Sequence, residues 1–144
     1  MSLNGIYDTD NIFAKIVRGE MPCVKVFEDE DTLAFMDVFP QSKGHMLVIP
    51  KKESARNLLD VNPDALAPIL KTVQRVAHAM KTALSPDGII ITQFNGAPAG
   101  QTVFHLHFHI IPRYDNTGLG QHASGGMADM DELNAIAARI QSAL

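Results

Sequence analysis

The chain has 144 residues, the size of one domain, and 46% of them are hydrophobic, which is a globular composition. Its formal net charge of −4 argues against a nucleic-acid-binding surface, because such surfaces are normally basic. The single cysteine, Cys23, excludes an internal disulfide and a cysteine-rich zinc module, and it fits a reducing compartment. No apolar run approaches the ~20 residues that span a bilayer, and the N-terminus lacks a signal-peptide pattern. We therefore expect one cytoplasmic domain over residues 1–144, with neither a membrane nor a nucleic-acid partner.

The first half of the chain predicts a mobile lead-in, a short helix and three strands. Residues 1–10 are polar and contain glycine, which is typical of a mobile terminus. The apolar spacing over 11–17 predicts a helix that ends near Gly19. Two β-prone runs, over 24–27 and 32–38, flank an acidic turn and predict a hairpin. A third strand is predicted over 45–50.

The second half predicts a long helix, two strands and a last helix. Asn62 and Pro63 are typical of a helix start, and apolar residues then recur at three- and four-residue steps up to Leu84. Strands are predicted over 89–94 and 102–112, and a C-terminal helix from about Asp131. Several consecutive strands, then one long helix, then further strands indicate an α+β fold with an antiparallel sheet of about five strands. Residues 11–114 form its expected core, and 115–144 form a tail that contains the C-terminal helix.

Three histidines, His105, His107 and His109, occupy alternate positions of the fifth predicted strand. Side chains alternate between the two faces of a strand, so the three imidazoles are expected on one face. The opposite, core-facing set is apolar: Phe104, Leu106, Phe108 and Ile110. An imidazole with a pKa near 6.5 can act as nucleophile, base or acid at neutral pH. The alternatives are a solvated strand face and a histidine-ligated metal site, which would need further ligands.

The segment before these histidines, residues 95–102, contains two glycines and a proline. A tight loop of this kind directs backbone N–H groups toward the start of the strand. Together with the amide of Gln101 and the hydroxyl of Thr102, these groups suit phosphate oxygens. A plain hairpin turn is the alternative interpretation.

The run AGQTVFHLHFHIIPR resembles the signature of the histidine triad (HIT) superfamily, and GHMLVIPK, LAFMDVFP and IFAKIVRGEMP precede it in the order typical of that family. The resemblance covers residues from about 11 to 114. It implies a HIT-like fold, a homodimer, and a nucleotide hydrolase or transferase. The implied substrate is a purine nucleotide, in the form of a phosphoramidate, a dinucleoside polyphosphate or an adenylate.

The resemblance also implies roles for individual residues. His107 is the expected nucleophile, which attacks the α-phosphate and forms a nucleotidyl-histidine that water then hydrolyses. His109 is expected to contact the phosphate or the leaving group, His45 to complete the network, and His105 to be more structural than reactive. The implied nucleotide site has an apolar base pocket, a carboxylate for the ribose and a phosphate loop: Ile12, Phe13, Phe35, Val38, Asp37, Asn95, Gly100, Gln101, Thr102 and Val103. Core packing is the alternative for the apolar members, and a solvent-facing strand end is the alternative for the aspartate.

The sequence departs from the family pattern at two places. Many bacterial relatives bind a structural zinc through Cys-x-x-Cys and two histidines, but three of these positions hold Asn11, Ala14 and Glu53. We therefore expect no structural zinc and no other required cofactor. A phosphate-contacting Asn or Gln of some relatives is replaced by Phe94, for which Asn95 is the candidate substitute. A nucleotide-binding module without turnover is the alternative to an enzyme, although the presence of His107 argues against it.

Overall fold

In a computed structural model, the chain is described over residues 3–119 and 126–144. Part of the predicted tail, residues 120–125, therefore lies outside the described residues. The helices are α1 (Ile12–Val17), α2 (Leu66–Leu84) and α3 (Met130–Gln141). The strands are β1 (Lys25–Glu28), β2 (Thr32–Met36), β3 (Met46–Pro50), β4 (Gly88–Thr92) and β5 (Phe108–Arg113). Short 3-10 turns, Pro63–Ala65 and Ala97–Ala99, precede α2 and β5.

The five strands form one sheet in the order β1-β2-β3-β5-β4, and every pairing is antiparallel. The predicted α+β fold with five strands, a long helix, a short N-terminal helix and a C-terminal helix is confirmed. β5 lies between β3 and β4, with His109 opposite Leu47 on one side and Thr92 on the other. The sequence thus places one histidine of the triad near the middle of the sheet.

Both faces of the sheet are covered by helices. Alternate residues of the central strands, such as Ala34 and Val48, belong to the main core, which also includes residues of α2 and α3. The opposite face carries a smaller core with Phe13 of α1. Its strand residues are Leu33, Phe35, Leu47 and Ile49. Because directly paired residues point to the same face, the side chain of His109 lies on the face of this smaller core.

The long helix and the C-terminal helix bury the stripes that their apolar spacing predicts. In α2, Leu70 is 50% exposed, while the rest of the stripe packs in the core: Ile69, Val73, Val76 and Met80. α3 begins at the N-cap Asp129 and buries Leu133, Ile136, Ala137 and Ile140. The C-terminal helix therefore completes the main core. No helix in the described ranges combines the length and apolar character needed to cross a bilayer.

The fifth strand begins later than predicted, at Phe108 rather than at residue 102. Its ladder with β3 starts at the pair Phe108–Val48. Upstream of this pair, the N–H of Leu106 donates to the carbonyl of Ala55, and the carbonyl of His105 accepts from the ring of His107. These bonds engage backbone groups that a strand ladder would use. The prediction that three histidines share one strand face is therefore wrong, because only His109 lies on β5.

The composition predicts that residues 1–10 are mobile, but the described part of this lead-in, residues 3–10, is docked on the rest of the molecule; residues 1 and 2 lie outside the described residues. We call residues 3–7 the N-terminal arm. The side-chain amide of Asn57 donates to the carbonyl of Leu3 over 3.1 Å, and the guanidinium of Arg56 donates to the carbonyl of Ile6 over 3.3 Å. The arm ends at Tyr7, whose hydroxyl contacts a ring nitrogen of His105.

Candidate active site

Four histidine rings meet where β3 and β5 begin. His45 directly precedes β3, His109 is the second residue of β5, and His105 and His107 lie in the segment before it. The ring centroids of His107 and His109 are 5.0 Å apart, and those of His45 and His109 are 5.2 Å apart. All four side chains are buried, and His107 is the most exposed of them at 6%. The predicted group of histidines is thus assembled, but from an irregular segment and two strand starts.

A backbone carbonyl determines which nitrogen of His107 carries the proton. The Nδ1 atom of His107 lies 2.7 Å from the carbonyl oxygen of His105. A carbonyl oxygen can only accept, so Nδ1 is protonated and donates. In the neutral ring the lone pair is then on Nε2, the nitrogen that can bond to an electrophile. Phe13 packs edge-on against this ring at a centroid distance of 4.9 Å.

A backbone N–H determines the positions of the protons on His45 and His109 in the same way. The N–H of Gln41 donates to Nδ1 of His45 over 3.0 Å, so the proton of His45 is on Nε2. This Nε2 atom lies 2.9 Å from Nδ1 of His109 and donates to it. The proton of His109 is therefore on its own Nε2. As a result, His109 carries an N–H donor and the adjacent ring of His107 carries a lone pair.

Asp37 lies beside the ring of His45 and does not face solvent. It is 4% exposed, its Oδ1 accepts from the N–H of Phe39 over 2.8 Å, and its Oδ2 is 3.5 Å from Nε2 of His45. The alternative of a solvent-facing strand end is therefore wrong. Its role toward a ribose stays a prediction.

His105 is held at both ring nitrogens. Its Nε2 donates to the carbonyl of Pro50 over 3.0 Å, and the hydroxyl of Tyr7 lies 2.6 Å from its Nδ1. Burial lowers the pKa of His105 to about 4, so the ring is neutral at pH 7 and Nδ1 accepts from the tyrosine. These contacts suit the structural role that the resemblance implies. No motif or periodicity marks a residue in the lead-in, so Tyr7 is not predictable from the sequence pattern.

The loop between β4 and β5 is organised by the side chain of Gln101. The turn Ala97–Ala99 lies between two glycines with positive φ, Gly96 at 92° and Gly100 at 111°. The Gln101 amide accepts from the N–H of Gly96 and donates to the carbonyls of Arg56 and Val103. With 2% of its surface exposed, this amide shapes the loop instead of being presented to a phosphate.

Asn95, the candidate substitute for a phosphate contact, is also engaged within the protein. Its Oδ1 accepts from the N–H of Leu58 over 2.9 Å, and its Nδ2 donates to the side chain of Gln93 over 3.1 Å. Thr102 is exposed at the end of the same loop. Phe94 places its ring 5.4 Å from that of His109. An apolar side chain therefore lies close to the histidines at the position where some relatives carry a polar one.

The apolar residues predicted for a base pocket divide into three environments. Phe13 and Phe35 are buried in the smaller core with rings 5.5 Å apart, and Val103 packs against this core. Ile12 is 44% exposed in the first turn of α1. Val38 is half-buried against the main core instead. Core packing therefore accounts for Phe35, whereas Phe13 belongs to the core and also contacts the ring of His107.

The residues at the zinc positions of bacterial relatives do not fit a zinc ion here. The side chain of Asn11 caps α1, the Glu53 carboxylate accepts from the N–H of Asn62, and Nδ1 of His105 accepts from Tyr7. Ala14 has no ligand atom. A tetrahedral zinc site of Cys and His ligands cannot form from this set.

A different group of ligand atoms lies within the histidine site itself. In the described part of the chain, Asp37, His45 and His109 each have an atom that could bind a metal ion. These three atoms lie within 4.8 Å of one another, and all three residues are buried. The hydrogen bond between the two histidines occupies two of these atoms. A metal ion at this position would break that hydrogen bond.

Comparison with known proteins identifies the family. Residues 18–116 match the HIT domain, and the chain belongs to the HIT family. A HIT-like protein from Bartonella henselae is 49% identical, and its crystal structure superposes with a TM-score of 0.89 over 96% of this chain and 100% of that chain. An adenosine 5'-monophosphoramidase from Schizosaccharomyces pombe is 40% identical over 91% of this chain and 96% of its own length. An adenylylsulfatase from Arabidopsis thaliana is 41% identical over 72% of this chain but only 52% of its own length. Membership of the family, predicted from the histidine motif, is confirmed.

Proposed function

We propose that this protein hydrolyses a purine nucleotide at its α-phosphate through a covalent intermediate on His107. The observation that carries the proposal is the pair of adjacent rings, with a lone pair on Nε2 of His107 and a proton on Nε2 of His109. The names of two relatives, an adenosine 5'-monophosphoramidase and an adenylylsulfatase, favour an adenylyl group as the part that is transferred.

In the first step, Nε2 of His107 attacks the α-phosphorus. A nitrogen–phosphorus bond forms while the bond from phosphorus to the leaving group breaks, and the leaving group departs with the electron pair and takes a proton from solvent. Positive charge develops on the His107 ring, where the carbonyl of His105 at Nδ1 stabilises it. The Nε2–H of His109 donates a hydrogen bond to a phosphate oxygen or to the leaving group, where negative charge develops.

In the second step, water attacks the same phosphorus. A phosphorus–oxygen bond forms, the nitrogen–phosphorus bond breaks, and its electron pair returns to Nε2 of His107. The water loses a proton to solvent, so one water is consumed and a nucleoside monophosphate is released. Dividing the displacement into two steps leaves the protein mainly with positioning and charge stabilisation.

The test compares the wild-type protein with His107→Ala and His107→Asn. The asparagine variant retains an amide that can donate to the carbonyl of His105, but it lacks the nucleophile. We expect both variants to bind nucleotide and to release no nucleoside monophosphate. Label from an α-phosphate-labelled substrate should be trapped on the wild-type protein in an acid-labile, alkali-stable form, as expected for a phosphohistidine. Turnover at the wild-type rate in either variant would disprove the mechanism.

The same assay separates the alternative functions. Three compounds are assayed with the wild-type protein: an adenosine phosphoramidate, a dinucleoside polyphosphate and an aminoacyl-adenylate. A nucleotide-binding module binds these compounds and turns none of them over. A histidine-ligated metalloenzyme contains stoichiometric metal and loses its activity on chelation. The covalent mechanism requires turnover of at least one compound in the presence of chelator. The order of the turnover rates of the three compounds identifies the preferred leaving group.

We also propose that two copies of the chain associate through β4. This strand lies at one edge of the described sheet, and Ile91 within it is 49% exposed. An apolar edge strand exposes backbone groups that favour pairing with another strand, so proteins normally cover or pair it. Antiparallel pairing of two such edges would produce a continuous sheet across a homodimer.

The setting that we propose for this reaction is the cytoplasm. The single cysteine, Cys23, is a free thiol, which fits a reducing compartment. The net charge of −4 favours small-molecule substrates over nucleic acid. Fractionation of cells that produce the chain at its natural level tests the location.

A further inference from the structure

The N-terminal arm brings a phenol to the histidine site. The hydroxyl oxygen of Tyr7 lies 2.6 Å from Nδ1 of His105, and the two rings are 5.8 Å apart at their centroids. Backbone contacts at Leu3 and Ile6 hold the arm on either side of Gly5. The tyrosine side chain is half-buried, whereas the neighbouring Ile6 is 93% exposed. The arm therefore presents one residue to the protein interior, and that residue contacts the triad.

This contact continues to the nucleophile through one residue. The ring of His105 is held between the hydroxyl of Tyr7 at Nδ1 and the carbonyl of Pro50 at Nε2. The carbonyl of the same histidine accepts from Nδ1 of His107 over 2.7 Å. Since His105 precedes β5, its carbonyl is not held by a strand ladder. The two ring contacts of His105 are thus direct restraints on the residue that orients His107.

We propose that Tyr7 is a positioning residue for the nucleophile, which acts through His105 on the orientation of the His107 ring. This inference rests on the proposed function for its kinetic consequence, but the restraint itself is independent of any substrate. In this chain the phenol of Tyr7 binds Nδ1 of His105 over 2.6 Å. The arm thus anchors this histidine through a hydrogen bond.

The hydroxyl of Tyr7 is the group that restrains the ring of His105. Tyr7→Phe retains the ring and its packing, but it leaves the buried Nδ1 of His105 without this donor. A loosened carbonyl at His105 allows the His107 ring to depart from its attacking orientation, and small misplacements of a reacting group cost large factors in rate. We expect kcat to fall about tenfold with little change in KM, because the hydroxyl acts on ring orientation and makes no proposed contact with substrate.

The chain offers a matched control, because it has only two tyrosines. The hydroxyl of Tyr114 donates to the carbonyl of Lys43 over 2.9 Å and has no contact with the triad. Tyr114→Phe therefore removes the other tyrosine hydroxyl hydrogen bond, which is exposed and lies outside the triad. Both variants and the wild-type protein are assayed with adenosine phosphoramidate, and their thermal unfolding midpoints are recorded so that a folding defect is measured separately.

A second readout needs no substrate. In ¹⁵N-labelled protein, the Nδ1–H proton of His107 reports its bond to the carbonyl of His105, and it should exchange faster with water in Tyr7→Phe but not in Tyr114→Phe. In the wild-type protein, the hydroxyl proton of Tyr7 should correlate with Nδ1 of His105. The inference is overturned if this correlation is absent, or if Tyr7→Phe leaves both kcat and the exchange rate of His107 unchanged. If the wild-type protein has no turnover, the proposed function fails while the exchange measurement still tests the restraint.

Discussion

The Nε2 atom of His45 donates to Nδ1 of His109 across 2.9 Å, and this contact joins the starts of two neighbouring strands. The N–H of Gln41 on the far side of His45 means that the proton between the two rings belongs to His45. The consequence is that His109 has its own proton on Nε2. This nitrogen is therefore a hydrogen-bond donor when the ring is neutral, next to the ring of His107, the proposed nucleophile.

A leaving-group series tests the role of this donor. His109→Ala removes the N–H, and we expect kcat to fall about 10²-fold for an adenosine phosphoramidate with a basic alkyl amine. The loss should be smaller with a nitrophenyl ester of adenosine monophosphate, because a nitrophenolate departs readily without a donor. Steady-state rates of nucleoside monophosphate release measure the loss of kcat with each of the two substrates.

His78→Ala is the control for this series, since it removes an exposed histidine on α2. Its rates should equal those of the wild-type protein with either substrate. An equal loss in His109→Ala for both leaving groups would mean that His109 acts on the phosphate oxygens instead of on the leaving group.

The stability of the protein should depend on pH through His105. Burial lowers its pKa from 6.5 to about 4 on folding. Between these values the unfolded chain binds a proton that the folded chain does not, so unfolding is favoured as the pH falls. The contribution of the neutral ring is present above pH 6.5 and is lost as the pH falls through about 4, and it amounts to roughly 3 kcal/mol. The free energy of unfolding in urea, measured at neutral pH and near pH 4, gives this contribution. The difference between the two free energies should be smaller in His105→Gln. A difference that is the same in His105→Gln would assign the pH dependence to other groups.

A side chain at Gly44 should destabilise the fold, because this residue precedes His45 and lies close to Leu84 of α2 and Pro112 of β5. Its φ is +104°, and an added Cβ would overlap Cδ1 of Leu84 and lie 3.2 Å from Cγ of Pro112. Gly44→Ala should lower the free energy of unfolding by about 2–3 kcal/mol, from backbone strain and overpacking together. Gly19→Ala is the matched variant, because its φ is +78° and no atom lies within 4 Å of an added Cβ. It should cost only about 1 kcal/mol by the strain alone. Urea midpoints that are equal for the two variants would exclude the contact with α2 as a factor.

The proposed homodimer makes a simple prediction for the edge strand. Ile91→Arg places a charge on β4, which opposes pairing with a second copy, and it should convert a dimer to a monomer in sedimentation equilibrium. Leu59→Arg, at a residue that is 69% exposed outside the sheet, should leave the dimer intact. A wild-type protein that sediments as a monomer, or a dimer that persists in Ile91→Arg, would contradict pairing through this edge.

Sequence periodicity predicts the arrangement of the fold well where packing is regular. The apolar steps of α2 and α3 follow from the burial of one helix face. The nearly continuous apolar runs of β2 and β3 follow from burial on both faces of the sheet. The start of β5 does not follow in this way. Its upstream neighbours find hydrogen-bond partners in Ala55 and in the ring of His107, and alternation contains no information about such partners.

The histidine group could be predicted because its residue types and spacing are distinctive, whereas its support could not. Tyr7 and His105 are 98 positions apart, so their contact depends on the finished fold. The amide of Gln101 also looks suitable for phosphate in sequence, but its partners are the N–H of Gly96 and the carbonyl of Arg56. Residue chemistry identifies what a side chain can bind; the surrounding loop determines what it does bind.

The protons of the site are located by main-chain atoms: the N–H of Gln41 and the carbonyls of Pro50 and His105. These atoms are present whatever side chains occupy those positions, provided that the path of the backbone is kept. We therefore expect that neighbouring side chains such as Phe94, whose ring lies 5.4 Å from that of His109, can be exchanged without moving these protons.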